Sequence, residues 1–208
     1  MVSTIETRAV LVLFGREVVS FTRTRRHEIP PRQQLHAREQ GAAKAAQPPS
    51  QALTFLVNSL FLHECYTILT KSPVEHLHAV TGSVWNGVRT LDRVVPLRLS
   101  EQSVVGAKAE DQSLAEELIR LNRFGLLPLA NFHSHPGRGV AATQPSATDR
   151  RTQAAFEKCG SQIIGLIFPR DGCLRFYANG AEPVVQVVGK RIREVEKNVF
   201  QLETDKNT

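Results

Sequence analysis

The chain has 208 residues, 41% hydrophobic and 22% charged, which suits one sizeable core and excludes a fibrous or wholly disordered protein. The net charge of +6 is uneven, because 8 of the 26 Lys+Arg and 4 of the 20 Asp+Glu fall in residues 1–50, giving that segment +4 by itself. Its basic run "RTRRHEIPPRQ" lacks interleaved aromatics, so a solvated segment is expected and nucleic-acid recognition is not.

Residues 9–22 ("AVLVLFGREVVSFT") suit one or two short strands. The apolar run 9–14 is too short for a bilayer span, and Arg16 and Glu17 interrupt it, so no membrane association is expected. Residues 23–50 are rich in Arg, Gln, Ala and Pro and are expected as a flexible linker. The expected organisation is a basic N-terminal segment over 1–51 and one domain over 52–208.

"ALTFLV" (52–57) suits a buried strand. A helix should follow, capped by Asn58 or Ser59 and stopped by Pro73 near Lys71. "VEHLHAVTG" (74–82) suits a strand ending at Gly82, "SVWNG" a turn with Asn86-Gly87 at its tip, and residues 88–99 the returning strand. Residues 111–125 form the clearest helix: Leu114, Leu118 and Leu121 share a face, Ser113 with Glu116 makes a capping box, and Gly125 stops it. "LLPLANFHSH" reads as a strand with Pro128 at its start or on an edge. "PSATDRRTQAAFEKCG" reads as a helix, 161–169 and 173–179 as two strands joined by a turn, and the last segment as a helix with Ile192, Val195, Val199 and Leu202 on one face. This irregular mixture predicts an α/β fold whose sheet is mixed and flanked by helices.

Three cysteines, Cys65, Cys159 and Cys173, with no C-x-x-C pair, argue against a disulfide framework or a cysteine zinc knuckle and fit a reducing cytoplasm.

The chemistry-bearing stretch is "FHSHPGRGVAATQPSATDRR" (132–151). In a strand, residues i and i+2 point to one side, so His133 and His135 can offer two imidazoles to one ion. Asp149 falls in the first turn of the next helix and can supply a third ligand, leaving an open position as catalytic zinc requires. Ser146-Ala147-Thr148-Asp149 is equally a capping box. Capping explains Ser146 and Asp149 but leaves the histidines unaccounted for. A rival pair, His76 and His78, also shares a strand face but has no Ser or Asp following it, and reads as ordinary strand residues. Glu75 lies on the opposite face with Leu77 and Ala79. No H-E-x-x-H helix, zinc-deaminase signature or phosphate-binding loop is present.

With His133, Ser134, His135, Pro136, Ser146 and Asp149 in view, the chain resembles the JAMM (JAB/MPN) metalloproteases over about residues 52–180. Their motif is a distant Glu, then H-S/T-H-P, a loop, and S-x-x-D. Glu75 occupies the place of the distant Glu. The loop 137–145, "GRGVAATQP", is longer than the commoner form and is similar to that of bacterial JAB proteins that accompany ubiquitin-like conjugation systems, including antiphage operons. The basic segment 1–50 has no counterpart.

The resemblance implies a JAB/MPN (cytidine-deaminase-like) architecture and a Zn2+ held by His133, His135 and Asp149. It implies Glu75 as general base and acid, and Ser146 as donor to the oxyanion. The implied substrate is a ubiquitin-like protein or its conjugates, cleaved after the C-terminus, with the activating and conjugating enzymes of the same system as further partners. Ser134 is expected in a supporting role, and Trp85 as a contact for a substrate tail added at a sheet edge near "SVWNG". Three alternatives stand beside this: a metal-free scaffold of the same fold, a zinc peptidase acting on sulfur-carrier proteins, and a nucleic-acid-binding protein acting through residues 1–50.

Overall fold

The structure, a computed structural model, describes residues 52–104, 106–158 and 161–204, together with the strands of an N-terminal hairpin. In that hairpin β1 (Val2–Leu13) pairs antiparallel with β2 (Arg16–Glu28), from Val2 opposite Glu28 to Leu13 opposite Arg16. Residues 23–28, expected as the start of the linker, therefore belong to a strand, while 29–51 lie outside the described residues.

Strand β3 (Thr54–Asn58) buries Phe55 and Val57 completely, and its last residue caps α1 (Ser59–Thr70): Asn58 Oδ1 accepts from the Leu60 N–H at 2.8 Å. Phe61, Leu62, Cys65 and Leu69 fall at helical spacing and make one buried face. The guanidinium of Arg170 donates to the carbonyls of Thr70 and Ser72 at the helix end, where the dipole favours a cation.

Strand β4 (Leu77–Trp85) returns as β5 (Val88–Pro96) through a turn with Asn86 at φ 48° and Gly87 at φ 80°. Two successive left-handed residues match the twist of a tight hairpin. Gly82 does not end β4, as expected from the sequence; it sits at a bulge beside Thr81. A Cβ there would lie 1.8 Å from the Thr90 carbonyl oxygen, so the close approach of β5 demands glycine.

A hairpin absent from the sequence reading follows, β6 (Leu99–Ser103) with β7 (Gly106–Ala109). Helix α2 (Asp111–Arg123) begins earlier than its expected cap. Ser113 is buried inside it and accepts from the Arg98 N–H at 3.2 Å, while Glu116 engages Arg98 and Gln112. The Ser113–Glu116 capping box is thus not formed, because both side chains serve the β5–β6 connection and a neighbouring turn instead. Gly125 ends the helix at φ 69°, as expected.

Strand β8 (Leu127–Ser134) leads through a single helical turn, α3 (Gly139–Ala142), to α4 (Ala147–Lys158). Strands β9 (Ile164–Phe168), β10 (Cys173–Tyr177), β11 (Val184–Val188), β12 (Ile192–Glu196) and β13 (Val199–Leu202) complete the chain. The expected C-terminal helix is a β12–β13 hairpin. Val199, Phe200 and Leu202 are all buried, which needs two covered faces rather than one stripe. Asn198 takes φ 59° at the turn, held by its side-chain amide donating to the Pro183 carbonyl at 3.1 Å.

The main sheet has nine strands in the order β11-β3-β5-β4-β8-β9-β10-β13-β12. β11–β3, β3–β5 and β8–β9 are parallel and the other pairs antiparallel, so the sheet is mixed. β11 and β12 occupy opposite ends of this order, yet only residues 189–191 separate them. The sheet must therefore curl until its two edges approach each other. Helix α1 fills the inside of the curl, packing on β3, β5, β8 and β9. Phe132 of β8 stacks there between Phe61 and Phe168, with ring centroids 6.3 and 5.6 Å away. Because side chains alternate, His133 is sent to the other face of the sheet.

Candidate metal centre

On that face the last residues of β8 meet the first turn of α4. His133 is 6% exposed. His135 lies just past the strand end but keeps its pairing, donating its N–H to the Phe168 carbonyl at 3.0 Å. The i, i+2 relation therefore holds, and the His133 and His135 Nε2 atoms lie 3.2 Å apart. Asp149 places Oδ1 3.3 Å from His133 Nε2 and Oδ2 3.5 Å from His135 Nε2. Two imidazole nitrogens and a carboxylate oxygen thus fall within 4.8 Å of one another, a separation one ion can bridge. Among the described residues this is a donor group that could hold a metal, and its composition suits zinc without fixing the ion's identity.

The capping box of Ser146 and Asp149 is also formed. The Ser146 N–H donates to Asp149 Oδ2 at 2.7 Å, and the Asp149 N–H to Ser146 Oγ at 3.2 Å. Capping and ligation are compatible here, since the cap holds the carboxylate pointing at the imidazoles. His135 is further oriented by Nδ1, 2.9 Å from the Ala142 carbonyl. An Nδ1–H donor to that oxygen leaves Nε2 free as a ligand atom.

The charges in the site are coupled. Burial disfavours ionisation of Asp149, but hydrogen bonds from His133 and His135 outweigh it and hold the carboxyl well below its usual range. Burial likewise works against a charged His135, yet the hydrogen bonds to Asp149 and Ala142 dominate and raise its basicity. Burial lifts the Glu75 carboxyl above its usual value against the pull of His135 and His133.

Glu75 precedes β4, and its side chain lines the same cavity as the triad, a space of about 970 Å³ that also receives Ser146. Two contacts fix its backbone. The Glu75 N–H donates to the Ser103 carbonyl at 2.8 Å, and Gln102 Nε2 donates to the Glu75 carbonyl at 2.9 Å, both from the β6–β7 hairpin. Beside it, fully buried Ser134 grips His76: Oγ accepts from the His76 N–H at 3.0 Å, and the Ser134 N–H donates to the His76 carbonyl at 3.1 Å. Ser134 thus joins the ligand strand to the segment that carries Glu75.

The rival histidines stay outside this group. His76 Nε2 lies 2.7 Å from Ser72 Oγ, and burial pushes His78 down to about 4, its Nδ1 having no hydrogen-bond partner among the described residues. Trp85 is 76% exposed, but it stands at the far end of β4 from Leu77, which pairs with His133. Eight residues of strand place it roughly 25 Å from the triad, so it lies outside the metal-ligand group. The β6–β7 hairpin, which the sequence reading passed over, flanks the site instead. Gly106 following the polar run Ser100–Ser103 was the available turn signal.

No protein-family model matches the sequence, and no curated protein matches it. Among solved structures the chain is similar to protein DSY2949 from Desulfitobacterium hafniense, with 18% identity and a TM-score of 0.49 over 66% of this chain and 94% of that one. It is also similar to AF2198, a JAB1/MPN domain protein from Archaeoglobus fulgidus, with 15% identity and a TM-score of 0.41 over 65% of this chain and 98% of that one. At such scores the case for the site's chemistry rests on its own geometry. Among the described residues no helix is long and apolar enough to cross a membrane.

Proposed function

We propose that the protein is a zinc-dependent peptidase that cleaves after the C-terminus of a ubiquitin-like protein, either releasing it from a conjugate or processing its precursor. One observation carries this reading: two imidazoles and a carboxylate converge beside a half-buried glutamate at one cavity. A cap alone requires neither histidine, and a metal-free scaffold requires none of the three ligands together. The H-S-H-P…S-x-x-D pattern, which resembles that of JAMM proteases, supplies the substrate class.

When bound, Zn2+ would act as a Lewis acid and lower the pKa of its water from about 15.7 toward about 7. His133, His135 and Asp149 would hold it. Glu75, with its carboxyl raised by burial, takes a proton from the attacking water and passes it to the leaving amine. Ser146 is exposed to the cavity, and its oxygen accepts from the Asp149 N–H. Its hydroxyl proton remains to be donated to the tetrahedral oxyanion, a contribution typically worth about 10²–10³ in rate. An extended tail would enter between the β6–β7 hairpin and the start of α4. The activating and conjugating enzymes of the same system are the partners this activity implies, and the cytoplasm its compartment.

The test is cleavage of a ubiquitin-like protein fused at its C-terminus to a reporter, assayed with zinc-loaded and chelator-stripped protein. Cleavage restored only by zinc is expected. Stoichiometric zinc with no cleavage of fusions, conjugates or sulfur-carrier precursors would refute the substrate class.

A further inference from the structure

We propose that Thr143 and Arg175 are positioning residues that fix the metal ligand His135 through the carbonyl of Ala142. The inference rests on the zinc reading above and concerns how the long loop 137–145 serves that site.

His135 Nδ1 meets the Ala142 carbonyl at 2.9 Å, so the direction of that carbonyl sets the ring's rotation and tautomer. Ala142 ends α3, a single turn of four residues. One turn fixes several dihedrals for very few internal hydrogen bonds and does not hold itself. Its bracing is therefore external, and it converges on Thr143, which is fully buried despite lying in a loop.

Thr143 closes the turn twice: its N–H donates to the Val140 carbonyl at 3.1 Å and its hydroxyl to the same oxygen at 2.6 Å. With its proton committed there, Oγ1 accepts from Arg175 Nε at 2.9 Å. Arg175 comes from β10 in the main sheet, and its outer nitrogen reaches Glu196 on β12 at 3.5 Å. The chain of contacts thus runs from a rigid strand through a guanidinium and a hydroxyl to the turn that carries the Ala142 carbonyl, and from there to the ligand.

Two further contacts tie the loop to the β9–β10 turn: the Gly139 N–H donates to Asp171, and the Arg170 N–H to the Gly137 carbonyl at 3.0 Å. A Cβ at Gly137 would lie 2.6 Å from that of Ala142, so glycine lets the loop close over its own end. The longer loop is thus a built support for His135, not a slack insertion.

The experiment measures zinc affinity by competition with a chromophoric chelator for the parent, Thr143→Val, Thr143→Ser and Arg175→Met, with the His135 tautomer of each metal-free protein read from long-range ¹H–¹⁵N spectra. Thr143→Val and Arg175→Met should each weaken zinc about 10–100-fold, the range typical of removing a partner of a metal-bound histidine, and should mix the His135 tautomers. Thr143→Ser keeps the hydroxyl and should restore both. A purely structural role would lower thermal stability and leave affinity and tautomer unchanged. If Thr143→Val does not fold, Arg175→Met decides. Parent-like affinity in the folded variants overturns the positioning role alone, whereas a parent that binds no zinc overturns it together with the site.

Discussion

Ser146 and Asp149 form a cap in either reading of the motif, and the two can be separated by a pair of substitutions. Asp149→Asn retains an oxygen that can accept the Ser146 N–H, now 2.7 Å from the carboxylate, but removes the charge that faces both imidazoles at 3.3 and 3.5 Å. Ser146→Ala removes the N-cap oxygen that accepts from the Asp149 N–H but leaves all three ligands. Loss of such a cap costs about 1 kcal/mol. Zinc at about 100-fold over its Kd stabilises the folded state by about 2.7 kcal/mol. At roughly 2–4 °C per kcal/mol for a chain of this size, that is about 5–11 °C in Tm. Thermal unfolding with and without zinc reads both quantities. Ser146→Ala should unfold a few degrees lower without zinc and keep the parent's zinc shift. Asp149→Asn should lose the zinc shift, and without zinc it should also unfold below the parent because the charge facing both imidazoles is gone. A full zinc shift in Asp149→Asn would show that the carboxylate is only a cap.

Glu75→Gln should bind zinc as the parent does while cleavage falls about 10²–10⁴-fold, the usual worth of a general acid–base group; parent-rate cleavage would remove Glu75 from the mechanism. Ser134→Ala strands the half-buried His76 N–H, which should cost about 1–3 kcal/mol in urea unfolding of the metal-free protein, and should slow cleavage more than it weakens zinc. His78 gives a pH signature. Its value is lowered from 6.5 to about 4 in the fold, so the unfolded chain binds more protons between those values. Stability from this residue is full above about pH 6.5 and is lost as pH falls toward 4, on the order of 2 kcal/mol after allowing for its partial exposure. His78→Phe should flatten urea midpoints across that window, and an unchanged slope would count against the assignment.

Much of the site was legible because it is local. His133 and His135 lie two apart on a strand, and Asp149 sits three residues after a helix cap, so strand alternation and helix initiation alone predict their directions. Glu75 was reachable only through the family pattern, since its approach depends on Ser134 gripping His76 and on the β6–β7 hairpin, neither of which leaves a periodic trace. The Ala142 carbonyl was invisible because any residue supplies one. The C-terminal helix failed for a different reason. Ile192, Val195, Val199 and Leu202 satisfy a helical spacing, but Phe200 between them is buried as well, and the β-branched residues with Asn198 at a left-handed turn favour a hairpin. The Ser113 cap failed because a buried serine was claimed by the Arg98 N–H, a tertiary partner stronger than the local rule.

The pairing of β3 with β11 joins segments near residues 54–58 and 184–188, and the ligand strand β8 leans on β9, which follows it in the chain. During synthesis β3 must wait for residues 184–188 to leave the ribosome before its outer edge is satisfied. Such non-local closure slows folding and leaves strand edges open meanwhile. Hydrolytic competence would therefore come late in the protein's biogenesis, and a chain cut short before residue 184 would lack the seam that keeps the curl shut.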